Sequence, residues 1–404
     1  MITQQLISSV IDYQQEHFLQ KGTGIIRNIM PNVPIVNGFA TIITGIRRCG
    51  KSTLLLQLLK EKFKEALFLN FEDPRLAGME TSDLARLSNE IIARGNKIIF
   101  FDEIQVINGW EIFVHQLLRE DYLVFITGSN ASLLSKELGT HLTGRHLTIE
   151  LFPFSYSEFL KYETNEKGEN SLADYLKKGG MPDFLRTGMG EYLNNLLDDI
   201  LIRDIAIRHN IKDVNSLRQL CVFLLSNIGN TIAANKLSGM FGIKSSSTIL
   251  DYFSYLQDAY LLEFIPMFDY SIKKQIRNPK KVYAIDLGIY RQNSLLFTDN
   301  SGHALENAIF LYLRQHNKEI YYYQQEGECD FVTLKRGKAE QLIQVCYELN
   351  DMNLQREISG LFHAMKFFDK KEGIIVTMSQ TDTFTEEDRT IKVIPGYEFM
   401  SPNR

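Results

Sequence analysis

Gly45-Ile46-Arg47-Arg48-Cys49-Gly50-Lys51-Ser52-Thr53 decides the fold, because it fits G-x-x-x-x-G-K-[ST], the phosphate-binding loop. The residues before it, Ala40 to Thr44, are apolar and β-branched and predict a buried strand. Those after it, Leu54 to Leu59, predict a helix. Strand, glycine-rich turn and helix together are the context the motif requires. Glycines at 45 and 50 permit a tight turn in which successive N–H groups face phosphate oxygens. A helix starting near Lys51 adds its positive N-terminal end. Lys51 is then expected on the β- and γ-phosphates and the Ser52 hydroxyl on Mg²⁺, with residues 45 to 53 as the cradle.

The rest of the composition narrows the field. A chain of 404 residues holds two or three domains. Its net charge of −5 excludes an overall basic field of the kind that draws in nucleic acid. Cys49, Cys221, Cys329 and Cys346 form no C-x-x-C pair, which argues against zinc and disulfides and suits a reducing cytosol. No signal pattern opens the chain and no apolar run reaches the length of a membrane span, so a cytoplasmic location is expected. Residues 1–38 predict a polar helix, Gln4 to Leu19, and a Gly- and Pro-containing connector leading into the nucleotide domain.

Four further strands follow the loop. Ala66 to Phe71 ends in Glu72-Asp73-Pro74, which makes Asn70, Glu72 and Asp73 candidates for the ligand-facing end of a sheet. For Asp73 the favoured reading is a helix cap with Pro74 in the first turn. Lys97 to Phe101 runs into Asp102-Glu103, the Walker B pattern. There Asp102 serves the Mg²⁺ shell and Glu103 orients or deprotonates the attacking water. Tyr122 to Ile126 ends in Thr127-Gly128-Ser129-Asn130, whose small polar groups suit a γ-phosphate sensor. Ser129 stands as a catalytic candidate here, with Thr127 and Asn130 undistinguished from it. A fifth strand, through Leu151, is preceded by Arg145, which is either an arginine finger on the γ-phosphate or a surface ion-pair residue.

The runs GIRRCGKST, FFDE, ITGSN and GRHLTIELFPFSYSEF, in this order, resemble the prokaryotic AAA+-type P-loop ATPases that carry a C-terminal domain of unknown function. The resemblance covers nearly the whole chain. It implies an α/β P-loop NTPase domain with a parallel sheet of order 5-1-4-3-2, and ATP with Mg²⁺ as cofactors.

Beyond it, residues 153 to about 210 read as helical, with a turn at Gly179-Gly180-Met181-Pro182. Residues 213–285 have winged-helix spacing. Leu217, Leu220, Phe223 and Leu224 share one face, Ile232 to Phe241 predicts a second helix, and Ser245-Ser246-Ser247 caps a third. Leu261 to Tyr270 and Lys281 to Ile285 predict wing strands. The third helix has no Arg or Lys, so contact with DNA phosphates is expected instead from the wing, through Lys273, Lys274, Arg277, Lys280 and Lys281. A solvated turn, or docking on an acidic face, accounts for the same residues.

From about residue 300, Glu306 on a helix, Asp330 on a strand and Gln344 on the next strand sit as in the restriction-nuclease pattern PD-(D/E)xK, where acids hold Mg²⁺ and a lysine activates water. Cys346 occupies the lysine position, so DNA cleavage is not expected, and neither Lys335 nor Lys366 is placed by its spacing to replace that lysine. The expected domains are 1–38, a lead-in; 39–190, the ATPase; 191–295, linker and winged helix; and 296–404, nuclease-like. The expected function is ATP hydrolysis that drives a conformational change on a partner, DNA or protein. The alternative is a slow nucleotide-gated switch that binds a protein and seldom turns over. The oligomeric state is not legible.

Overall fold

The computed structural model describes residues 2–129, 144–295 and 300–401. The chain forms two compact units, Met1–Phe152 and Pro153–Arg404. The first boundary therefore falls well before residue 190, and the N-terminal lead-in belongs to the first unit rather than preceding it.

In the first unit, strands β1 (Ala40–Thr44), β2 (Leu67–Asn70), β3 (Ile98–Asp102), β4 (Leu123–Gly128) and β5 (His146–Glu150) form a parallel sheet of order β2-β3-β4-β1-β5. This is the expected order read from the other edge. The central strands are apolar throughout because helices cover both faces of such a sheet. Helices α1 (Gln4–Gln20), α2 (Lys51–Glu61), α3 (Leu84–Arg94) and α4 (Trp110–Arg119) complete the unit. Helix α1 is polar in composition yet buries Ile7, Val10, Ile11, Gln14 and Phe18, a stripe at helical spacing. The Thr3 hydroxyl caps it by accepting from Leu6 N, and Phe18 stacks on Phe68 of β2 at 3.7 Å. Each apolar side chain of that stripe stabilises the docked helix by about 1.5–3 kcal/mol.

The second unit opens with helices and the turn at residues 179–182. A Cβ on Gly180 would lie 2.2 Å from Phe154 O, and one on Gly179 (φ 69°) would lie 2.3 Å from Gly288 N, so only glycine fits at either position. Asp286 ties this turn down. Its carboxylate accepts from Gly180 N at 2.7 Å and caps the helix Leu287–Asn293 by accepting from Ile289 N at 2.9 Å.

Next come the helix Val214–Leu225, the short strand β6 (Thr231–Ile232), the helix Ala234–Leu237, the helix Ser246–Asp258, and strands β7 (Leu262–Pro266) and β8 (Lys280–Ala284). The three strands form a sheet of order β6-β8-β7. The segment expected as a helix from Ile232 is mostly turn, since only Ala234–Leu237 winds up before Gly239 and Gly242 take positive φ. Between β7 and β8 the chain forms a helix, Ile272–Arg277.

The last part is a six-stranded sheet of order β13-β14-β12-β11-β10-β9. Its strands are β9 (Glu319–Gln324), β10 (Glu328–Lys335), β11 (Lys338–Val345), β12 (Glu372–Thr377), β13 (Asp382–Glu386) and β14 (Arg389–Pro395). The helix Ser301–His316 precedes it, and the helix Leu354–Phe367 connects β11 to its parallel neighbour β12.

Candidate active site

The carboxyl ends of β1, β3 and β4 bring the expected residues of the first unit together. After Thr44 the chain turns at Gly45 (φ 144°), whose Cβ would lie 2.1 Å from Leu151 O. The Cys49 thiol donates to the same carbonyl at 3.3 Å, so the loop is packed against the end of β5. Arg48 (φ 63°) and Gly50 (φ 101°) complete the curl, and α2 starts at Lys51. Such a run of turned backbone is what lets consecutive N–H groups converge on an anion. The buried Lys51 ammonium lies against the loop, donating to Gly45 O and Ile46 O, each at 3.1 Å.

Two anchors of this loop escaped the sequence reading. Arg27, in the connector after α1, is buried and donates to Cys49 O at 3.0 Å and Phe152 O at 2.7 Å. Gln57 of α2 donates to Thr23 O and Ile25 O and accepts from Arg27 N. The connector therefore braces the loop from behind. A lone arginine 18 positions before the motif offers no periodic signal by which to find it.

Asp102 ends β3 and is held on both carboxylate oxygens. Thr127 donates to Oδ1, and Asn70 donates to Oδ2 at 3.0 Å. Asn70 is itself fixed by Gln14 of α1, which accepts from its N–H at 2.7 Å and donates to its carbonyl at 3.0 Å. Burial pushes the Asp102 carboxyl above its ordinary range, while Thr127, Ser52 and the Lys51 charge pull against that. Ser52, in the first turn of α2, and Asp102, at the end of β3, are hard oxygen donors of the kind that would hold Mg²⁺.

Glu103 takes a left-handed conformation (φ 56°), uncommon for a residue with a side chain. Its N–H donates to Thr127 Oγ1 at 3.1 Å, and its carboxylate accepts from Gln105 Nε2. Thr127 thus joins the two acids. Ser129 is buried at the carboxyl end of β4, whereas Asn130 lies outside the described residues. Glu72 is exposed at the end of β2, and Asp73 caps the turn Pro74–Leu76 by accepting from Arg75 N at 3.0 Å.

Arg145, expected as a finger or a surface ion-pair residue, stands away from its own chain's loop. Ala40 N donates to Arg145 O, so this exposed residue stands at the amino end of β1, opposite the phosphate loop. The length of β1, about 13 Å of strand at ~3.3 Å per residue, separates it from the loop. Its side chain does not reach its own chain's nucleotide site.

Burial is the main cause that raises the Glu103 carboxyl above its ordinary value; the Lys51 charge opposes it, and Asp102 and Glu72 add to it. A base must be deprotonated to act, and a raised pKa moves that requirement to higher pH. With Glu103 as the base, any hydrolysis would fall on acidification at a pH above the ordinary glutamate value of about 4.3. A pH profile of kcat/KM checks this, and a limb at or below that value would contradict it.

The basic segment of the second unit also needs correction. Lys273, Lys274 and Arg277 are exposed on the helix Ile272–Arg277, with Lys274 3.4 Å from Asp269. Lys280 is half-buried, and Lys281 is 4 % exposed, so it is no part of a basic surface.

Comparison with known proteins covers both units. A family profile described as "AAA domain" matches residues 37–160. A second, described as "Domain of unknown function (DUF8612)", matches residues 169–300. The chain is 32% identical over 431 residues to the uncharacterized protein MJ1544 of Methanocaldococcus jannaschii, covering 99% of this chain and 96% of that one. It is 30% identical over 357 residues to an uncharacterized protein of Haemophilus influenzae, covering 82% and 88%. The solved structure of C. elegans PCH-2 aligns over 63% of this chain and 66% of that one, at 13% identity and a TM-score of 0.23, too weak a likeness to argue from. Among the described residues no helix is long and apolar enough to cross a membrane.

Proposed function

We propose that this chain, which belongs to the family of the uncharacterized Methanocaldococcus and Haemophilus proteins and carries an AAA domain, is a Mg²⁺-dependent ATPase whose nucleotide cycle drives a conformational change on a partner. The observation that carries the reading is the joining of Asp102, Thr127 and Glu103 in one hydrogen-bonded set at the strand ends beside the phosphate loop. In this reading the loop N–H groups and Lys51 hold the β- and γ-phosphates and stabilise the charge that develops on transfer. Ser52 and Asp102 hold Mg²⁺, which when bound supplies charge neutralisation between the phosphates. Glu103 takes the proton of the attacking water, with Gln105 steadying its carboxylate and Thr127 fixing the two acids relative to one another. Ser129 is proposed near the γ-phosphate, and Arg145 is given no part in its own chain's site.

For the second unit we propose a winged-helix module joined to a nuclease-like one. The order of helices and strands from Val214 to Ala284, with its three-stranded sheet, supports the first. The helix–three strands–helix–strand succession from Ser301 to Thr377 supports the second.

Steady-state ATP hydrolysis, with and without duplex DNA, tests the proposal. Turnover in Mg²⁺ that is absent in EDTA is expected, and a chain that binds no ATP would refute it. If DNA is the partner, three exposed cations set the size of the contact. The logarithm of affinity should fall by about 0.9 per log unit of salt for each phosphate contacted, so about 2.7 for three. Charge reversal at Lys273, Lys274 and Arg277 should abolish binding. Sequence-specific binding that survives this change would move the contact to the helix Ser246–Asp258.

A further inference from the structure

We propose that the Lys281 ammonium is the resident cation of a two-carboxylate site formed by Glu306 and Asp330, and that it keeps divalent metal ions out of that site. This rests on the geometry of the second unit and is independent of the ATPase reading. Lys281 Nζ lies 2.6 Å from Asp330 Oδ1 and 3.1 Å from Glu306 Oε1, with Glu328 Oε1 further off at 3.9 Å. Lys281, Glu306 and Asp330 are 4 %, 7 % and 5 % exposed. Three elements supply them: β8, the helix Ser301–His316 and β10.

The carboxylates are held by further donors, as metal ligands are. Glu306 Oε1 accepts from the Tyr283 hydroxyl at 2.7 Å, and Asp330 Oδ2 accepts from Val345 N at 2.8 Å. Gln344 accepts from Asp330 N and passes its own N–H to Glu357 at 2.7 Å. Two acids oriented toward one point from a helix and a strand make a site for a hard cation with oxygen ligands. Here the point between them is taken by an ammonium. Among the described residues no three carboxylate, imidazole or thiol side chains converge closely enough to hold a metal ion.

The electrostatics agree with permanent occupation. Burial works to lower the Lys281 pKa, yet Asp330 and Glu306 outweigh it and hold the group well above its ordinary value. Two carboxyl groups face the single ammonium, at 2.6 Å and 3.1 Å. No other lysine considered for this place competes: Lys335 pairs with Glu340 at 3.5 Å and Lys366 with Glu386 at 3.2 Å, both at the exposed surface. With the cation position filled and Cys346 at the position where a lysine would activate water, metal-dependent phosphodiester hydrolysis has no starting point here.

The test is Mn²⁺ binding, followed by electron paramagnetic resonance of free Mn²⁺, to the full chain carrying Asp102→Asn so that the phosphate-loop site does not report. With Lys281 in place, adding Asp330→Asn should leave binding unchanged. Lys281→Met should gain one Mn²⁺ with at least tenfold tighter affinity than its parent, and Lys281→Met with Asp330→Asn should lose that gain. A folded Lys281→Met chain with no gain overturns the proposal. So does Mn²⁺ binding by the Lys281 chain that disappears on Asp330→Asn, or Mn²⁺-dependent DNA cleavage by the unsubstituted protein that disappears on Asp330→Ala. If Lys281→Met does not fold, Lys281→Gln takes its place, with the same gain and the same loss on Asp330→Asn expected and no gain overturning the proposal.

Discussion

Lys51→Ala is expected to weaken ATP binding about 10- to 100-fold, whereas Glu103→Gln should bind ATP as the parent does and hydrolyse it about 10²- to 10⁴-fold more slowly. The two residues sit at the same end of the sheet but do different work. The Lys51 ammonium lies against Gly45 O and Ile46 O, within the loop that would hold the phosphates. Its loss removes a charge-assisted contact present in both the bound and the reacting state, so binding suffers first. Glu103 is held from elsewhere, its backbone by Thr127 and its carboxylate by Gln105. Glutamine keeps the size and the hydrogen bonding but cannot take a proton. Equilibrium binding of a fluorescent ATP analogue and single-turnover hydrolysis separate the two effects. Parental turnover in Glu103→Gln would remove Glu103 from the mechanism, and unchanged affinity in Lys51→Ala would remove the loop reading itself.

Asp286→Ala should destabilise the second unit by about 3–5 kcal/mol at pH 5, and by less as the pH rises. Asp286 is 1 % exposed and accepts backbone N–H groups from both the turn at Gly180 and the helix at Ile289. Alanine would leave these donors buried without an acceptor, which is the costly way to lose a hydrogen bond. The pH trend follows from linkage. Burial raises the Asp286 carboxyl to about 6, its four backbone donors only partly offsetting this. The unfolded value is about 3.9, so the folded state binds the proton more tightly. That contribution is present below about pH 4 and is lost as pH rises through 6, about 3 kcal/mol in all. The alanine variant lacks it, so the gap between the two proteins should narrow toward neutral pH. Thermal midpoints of both proteins from pH 5 to 8 measure this. A gap that widens with pH would show the carboxylate, not the acid, to be the stabilised form.

The phosphate loop and the Asp-Glu pair were legible in the sequence because each is written in consecutive residues. A buried strand, a turn that needs glycine at two positions and a helix start all leave local marks, and the polar residues that follow an apolar run mark the carboxyl end of a strand. The strand order β2-β3-β4-β1-β5 was legible only through resemblance, since nothing in the periodicity says which strands are neighbours. The bracing of the loop by Arg27, and of Asp102 by Asn70 and Gln14, depends on where the N-terminal segment packs, and a polar side chain in a connector carries no sign of its eventual partner. Arg145 shows the reverse error. Next to a family-specific run it invited a catalytic part, but parallel pairing with β1 puts the residue at the end of the strand away from the loop. Lys281 shows the limit most clearly. In the sequence it is the last of a run of cations and reads as surface. The fold places it between Glu306 and Asp330, 25 and 49 residues further along the chain, and buries it. Desolvating an ammonium is unfavourable unless carboxylates meet it. Only the packing of β8 against a helix and a strand from later in the chain brings those carboxylates into place.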